Sequence, residues 1–181
     1  ANLRQFHELG APQIVVNAFK LAGNAPLISN VCDCMLRLAR DDTNNVALGE
    51  AGACEIVMRS LAANSADVAM IEALSATILN LSGVRSNLLK LADANGCATL
   101  VNTLSKQVSN AVITQRLCSA MLNMSCESAI CSTFSSAGAC DTVVFALTTQ
   151  VAIPEVAEPA CGLVWALCGD VTENEENQEA L

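Results

Sequence analysis

The sequence predicts an all-α fold, a solenoid of about four three-helix repeats of roughly 43 residues. Three observations carry this. The stretch from Asp67 to Ser82, DVAMIEALSATILNLS, places Ile71, Leu74, Ile78 and Leu81 at steps of 3, 4 and 3, one apolar stripe on a helix of 3.6 residues per turn. The stripe returns at 43-residue steps as Ile28, Val31, Met35 and Leu38, as Thr114, Leu117, Met121 and Met124, and as Ala157, Ala160, Val164 and Leu167. A glycine accompanies each copy, at Gly10, Gly52, Gly96 and Gly138. Self-similarity at such a period marks stacked units that hide their apolar flanks only against one another.

Each element follows from local signals. Asn2 to Leu9 reads as a short helix that Gly10 ends, and Ala11 to Leu21 as a second helix with Ile14, Val15 and Phe19 inward. Pro26 opens the third helix, where its missing amide costs nothing, and that helix runs to about Arg40. The second copy repeats the plan with Asn44 to Gly52, then Ala53 to Ala63 with Ile56, Val57 and Leu61 inward, then the helix capped by Asp67. The third has Ser86 to Gly96, Cys97 to Leu104, and a long helix from Ala111 to about Cys126. The fourth has Ile130 to Gly138, Ala139 to Leu147, and a long helix from Pro154 to about Cys168. A turn at Gly169 is then expected, with 171–181 as the start of a truncated fifth copy. The repeats span about 1–42, 43–85, 86–128 and 129–170 of one array. The recurring glycine suits a tight junction that needs either positive φ or the close approach of a neighbouring backbone.

Composition narrows the function. Hydrophobic residues make up 52% of the 181 and charged residues 15%, so many positions must be buried, while aromatics are only 3%. No apolar run approaches the roughly 20 residues of a membrane span, and the first residues carry no signal-peptide pattern. The net charge of −9 argues against a nucleic-acid partner, which would need clustered Lys and Arg. Asp170, Glu173, Glu175, Glu176 and Glu179 crowd the C-terminal end and read as solvated charge, or else as a patch for a basic partner. Ten cysteines are present. Cys32, Cys118 and Cys161 are repeat equivalents, with Ser75 in the fourth place, and Cys54 and Cys140 each follow a glycine by two residues. Cysteine that alternates with Ser at a repeat position behaves as a small core residue, so free, buried thiols in a reducing cytoplasm are expected.

A short helix ending in Gly, a second with adjacent aliphatics, and a long third closing in L-x-N-L-S resemble the armadillo repeat. The segments that carry the likeness are EAGACEIVMRSL, ALSATILNLS, ANGCATLVNTL, LCSAMLNMS, SAGACDTVV and ENQEAL, across the whole chain. The resemblance implies a right-handed superhelix whose third helices line a concave groove for proteins or extended peptides. It places the groove asparagine at Asn80 and Asn123, with Arg37 and Ala166 at the equivalent places in the outer copies. The tryptophan one turn earlier in nuclear-transport members is replaced by Asp33, Ala76, Ser119 and Gly162. Residues two turns before the asparagine, which would choose a peptide's side chains, are Asn30, Ala73, Arg116 and Pro159. Candidate partner-binding residues are therefore Asn80, Asn123, Arg37, Arg116, Ser119 and Asp33. A buried asparagine amide can pair with both the donor and the acceptor of a peptide backbone. It can equally bond the backbone of a neighbouring repeat.

Catalytic and cofactor motifs are not found. The single histidine, His7, reads as a surface residue, so no Ser-His-Asp or Cys-His set can be assembled around it. Phosphate-binding glycine motifs are absent. Cys32 with Cys34, and Cys126 with Cys131, lack the spacing of a zinc site, and residues two apart on a helix point to different faces. No catalytic residues, metal or cofactor are expected. The expected function is a non-catalytic protein-binding or scaffolding module in the cytoplasm or nucleus. Two other readings are a regulatory arm of a larger kinase, GTPase or ubiquitin ligase, and a thiol-based sensor.

Overall fold

The computed structural model describes residues 2–64 and 66–179, without the side chains of Ala25 and of residues 170–179. The acidic cluster Asp170, Glu173, Glu175, Glu176 and Glu179 thus lies outside the described side chains. Among the described residues the secondary structure is entirely helical. The order is α1 (Asn2–Glu8), α2 (Ala11–Leu21), α3 (Ala25–Leu38), α4 (Asp42–Glu50), α5 (Ala53–Ala63), α6 (Val68–Leu81), α7 (Arg85–Asp93), α8 (Gly96–Gln107), α9 (Ala111–Met124), α10 (Ser128–Ser136), α11 (Ala139–Gln150) and α12 (Pro154–Glu179). A short helix, a middle helix and a longer helix thus follow one another four times.

Capping chemistry sets the starts. Four side chains accept from the free amide three residues on: Asn24 from Leu27 at 3.0 Å, and Asp41 from Asn44, Asp67 from Met70 and Asn110 from Ile113, each at 3.1 Å. The turns between short and middle helices use left-handed backbone at Gly10, Gly52 and Gly138, with φ of 72°, 95° and 84°. In the third copy the left-handed slot belongs to Asn95, at φ 59°, and Gly96 meets the other of the two expected needs. Asparagine tolerates this region better than other residues with a side chain. Gly96 is the first residue of α8 and meets the second need instead, because a Cβ there would lie 2.1 Å from the Leu91 carbonyl oxygen.

The chain divides into two compact units, Ala1–Gly96 and Cys97–Leu181. In the first, α3 packs on α6, α2 on α3 and α5 on α6, with α4 joining α1, α2, α5 and α7. In the second, α12 packs on α9, α10 and α11.

The apolar stripe of α6 is fully buried at Ile71, Leu74, Ile78 and Leu81. The helix buries two lines rather than one. Met70, Leu74, Thr77 and Leu81 form the first line, and Ile71, Ser75 and Ile78 the second. In α9 the equivalents Ile113, Leu117, Ala120 and Met124, and Thr114, Cys118 and Met121, are buried in the same way. The outer third helices bury less. On α3, Cys32 and Met35 of the second line are buried, and of the first line Val31 and Leu38 are buried while Leu27 and Cys34 are exposed. On α12 the first line, Val156, Ala160, Leu163 and Leu167, is buried, while Cys161 of the second is exposed and Ala157 and Val164 are only partly covered. The stripe expected on α12 is therefore turned by one residue.

Middle helices differ in the same sense. Ile56, Val57 and Leu61 are buried on α5 as expected. On α2, Val16 and Phe19 are buried, whereas Ile14 is 63% exposed and Val15 partly covered. The expected inward Ile14 is thus corrected: a residue repeats, but burial needs a neighbour on that flank. The expected turn at Gly169 is corrected too, since α12 runs on to Glu179. Glycine costs a helix interior only about 1 kcal/mol relative to alanine, and the Glu and Gln that follow are good helix formers.

Candidate interaction surface

The third helices carry a line of residues opposite their buried arc: Asp33 and Arg37 on α3, Ala76 and Asn80 on α6, Ser119 and Asn123 on α9, and Gly162 and Ala166 on α12. In the first unit, Asp33, Arg37 and Asn80 are exposed on the adjacent helices α3 and α6. In the second unit, Arg116, Ser119 and Asn123 are partly buried on one face of α9, and the Gln115 amide donates to the Ser119 hydroxyl at 3.4 Å. Ala76 in the first unit, and Gly162 and Ala166 in the second, add little side-chain bulk to their helices there. At Gly162 a Cβ would come 2.9 Å from a methyl carbon of Leu122, so a side chain there would displace the end of that leucine.

Asn80 is exposed, not the buried amide the sequence suggested. Its Nδ2 donates to the Ala76 carbonyl one turn back at 3.3 Å. Its backbone carbonyl accepts from Asn45 Nδ2 at 2.8 Å. The buried asparagines are others, on the short helices. Asn87 Nδ2 donates to the Asn45 carbonyl at 3.1 Å, the Asn45 side-chain oxygen at 3.2 Å and the Leu81 carbonyl at 3.3 Å. Asn44 Nδ2 donates to the Leu3 carbonyl at 2.9 Å. Asn44 and Asn87 are one repeat apart, and each reaches back to the short helix of the preceding copy. The signal was available as a 43-residue recurrence of Asn, but the L-x-N-L ending drew attention instead. Gly49 belongs to this arrangement, because a Cβ there would fall 1.8 Å from Asn87 Oδ1.

Two hollows flank the third-helix face in the second unit. One, of about 310 Å³, lies near the end of α9 and is lined by Leu122, Ser125, Cys126, Cys131, Trp165 and Ala166, among others. Trp165 is 80% exposed on its wall. The other, of about 480 Å³, is bordered by Val112, Gln115, Arg116, Ile153, Glu155 and Val156. A third hollow, of about 470 Å³, lies in the first unit beside α1 and α4. Partly buried His7 borders it with Asp42 and Glu50.

The ten thiols are all free. Cys32, Cys54, Cys97, Cys118 and Cys131 are buried, and Cys34, Cys126, Cys140, Cys161 and Cys168 are exposed. The expectation of buried thiols at repeat positions therefore fails for Cys140 and Cys161, which lie on the uncovered flank of the fourth copy. Burial pushes the Cys32 and Cys97 thiols up to about 11, and those of Cys54 and Cys118 to about 12. Such thiols stay protonated and unreactive near neutral pH. Among the described residues, no three His, Cys, Asp or Glu side chains gather as a metal would require. No single described helix is long and apolar enough to cross a membrane; the pair α10 and α11 reaches that length only with a 78° bend.

No protein-family model and no curated protein matches the sequence. Solved structures do resemble it. A crystal structure of an engineered protein from the Northeast Structural Genomics Consortium superposes with a TM-score of 0.81 at 15% identity over 93% of this chain. A second engineered protein from the same consortium gives 0.80 at 15% identity over 91%. The chain spans 66% and 39% of the lengths of those two proteins. At that identity the likeness is one of helical fold.

Proposed function

We propose that the chain is an armadillo-type, non-catalytic interaction module that holds an extended segment of a partner protein on the solvent faces of its third helices. The observation that supports this reading most is the character of that face. In the first unit it is polar, with Asp33, Arg37 and Asn80 beside the small Ala76. In the second, Ser119 and Asn123 lie on α9 and the small Gly162 and Ala166 on α12, and a 310 Å³ hollow there is walled by an exposed tryptophan. A tryptophan left in water beside a cavity is a ready anchor site, since aromatic anchors in pockets dominate most interfaces. The Asn80 side-chain oxygen and amide can meet a peptide backbone without choosing its sequence. Asp33, Arg37 and Arg116 supply charges of both signs for selection.

Display selection of unstructured peptides on the whole chain tests this. Selected peptides should lose ten-fold or more in affinity on Trp165→Ala or on the double change Asn80→Ala and Asn123→Ala, with helical circular dichroism unchanged. Peptides that bind these variants as tightly as the parent would remove the proposal.

A further inference from the structure

Cys126 and Cys131 meet at the turn from α9 into α10. Glu127 is the N-cap of α10, so Cys126 stands just before the cap and Cys131 at the fourth helical position. These are the two places whose side chains commonly pack on each other at a helix start. The Cys131 thiol donates to the Ser125 carbonyl at 3.1 Å. That carbonyl belongs to the peptide leading into Cys126, so standard bond lengths put the Cys131 sulfur within about 6 Å of the Cys126 Cα. Both thiols line the hollow walled by Trp165, and among the described residues neither of the other two hollows is lined by a cysteine.

The two differ in access. Cys126 is exposed and Cys131 is buried. Gly83 and Arg40, one and two repeat steps before Cys126, are exposed as well, in copies that another copy follows. The exposure of Cys126 thus belongs to the turn and not to an end of the chain. Cys131 lies two repeat steps after Asn45 and makes the same tie. Asn45 Nδ2 donates to the Asn80 carbonyl at 2.8 Å, and the Cys131 thiol to the Ala166 carbonyl, again 35 residues on, at 3.9 Å. A thiol is the weaker donor, and unlike an amide it can be oxidised.

We propose that Cys126 and Cys131 form a redox site that hydrogen peroxide converts to a disulfide, loosening the tie between α10 and α12. The Cys126 sulfur attacks one peroxide oxygen, the O–O bond breaks, and the thiol proton leaves with the departing hydroxide as water. Cys126 is then a sulfenic acid, and the peroxide has been reduced. The Cys131 sulfur attacks that of Cys126: the S–S bond forms, the S–O bond breaks, and the Cys131 proton leaves in a second water. With its proton gone, Cys131 no longer donates to the Ser125 and Ala166 carbonyls. Trp165, the single tryptophan, is the neighbour of Ala166 and walls the same hollow, so its indole reports the change. The assignment does not depend on what the third-helix faces bind.

Peroxide treatment of the whole chain, followed by iodoacetamide and proteolysis after Glu127, tests this. Cleavage there separates the two cysteines. Mass spectrometry should find the fragments on either side joined by a disulfide and parted by dithiothreitol. Cys126→Ser and Cys131→Ser should each abolish the joined fragments, and Cys140→Ser should not. Trp165 emission should shift in wavelength on oxidation of the parent, return with dithiothreitol, and stay unchanged in the first two variants. Cys131→Asn, which supplies the amide found at Asn45, replaces Cys131→Ser should that variant lose its helical signal. A parent whose Cys126 stops at sulfenic acid, trapped by dimedone while Cys131 still takes up iodoacetamide on unfolding, overturns the proposal. So do joined fragments that survive Cys126→Ser, or a disulfide that leaves the tryptophan emission where it was.

Discussion

Asn87 shows how one residue can hold a repeat in register. Its amide satisfies three acceptors inside the fold. Asn87→Ala strands those acceptors and should cost about 1–3 kcal/mol in urea denaturation. Asn80→Ala removes only an exposed bond within its own helix and should stay within about 0.5 kcal/mol. Gly96→Ala should destabilise by about 1–3 kcal/mol despite alanine's better helix propensity, because the Leu91 carbonyl must move. The buried thiols predict a pH dependence whose sign follows from their raised values. Below about pH 9 folded and unfolded chains both keep these thiols protonated, and nothing is lost. Above it the unfolded chain ionises first, so stability should fall as pH climbs toward the folded values of about 11 to 12. Melting temperatures measured from pH 8 to 11 check this. Native thiol titration at pH 7.5 should find the exposed set, Cys34, Cys126, Cys140, Cys161 and Cys168, reacting well before the buried four with raised values.

At the scale of the helix, the sequence made starts and order legible because their causes are local. A capping Asn or Asp, an apolar stripe and a glycine each act within a few residues, and α6 lies where its spacing placed it. Burial was less legible because it depends on what stands alongside. Ile14 and Ile56 occupy the same repeat position, yet one is exposed and the other is not. At Asn95-Gly96 the sequence left two needs open, positive φ or close approach of a backbone, and only packing against Leu91 shows that Gly96 meets the second. The proposed binding positions Asp33, Arg37, Asn80, Ser119 and Asn123 came from the sequence pattern alone, whereas the buried Asn44, Asn45 and Asn87, which bond one short helix to the next, were passed over. Leu74→Ala at the centre of α6 should cost about 2–5 kcal/mol, as for other fully buried leucines, by thermal or urea unfolding.

Across the whole molecule, apolar exposure is uneven. Of the large exposed hydrophobic residues, Phe6, Leu9, Ile14, Leu21 and Leu27 lie in the first copy, and Val144, Phe145, Val151 and Trp165 in the last. Only Val68, Leu89 and Val112 belong to the two inner copies. The net charge of −9 offsets these patches by repulsion between molecules near neutral pH. Solubility should therefore pass through a minimum near the isoelectric point of about 4.4, measured by light scattering across a pH series.

The fit of Gly49 against Asn87 has a consequence for descent. The space a methyl group would need on one helix is filled by the carboxamide oxygen of another, 38 positions along the chain. The glycine cannot gain a side chain while the asparagine stands. In any lineage of such chains the two should covary, a bulkier residue replacing the glycine only where the asparagine has already given way to something shorter.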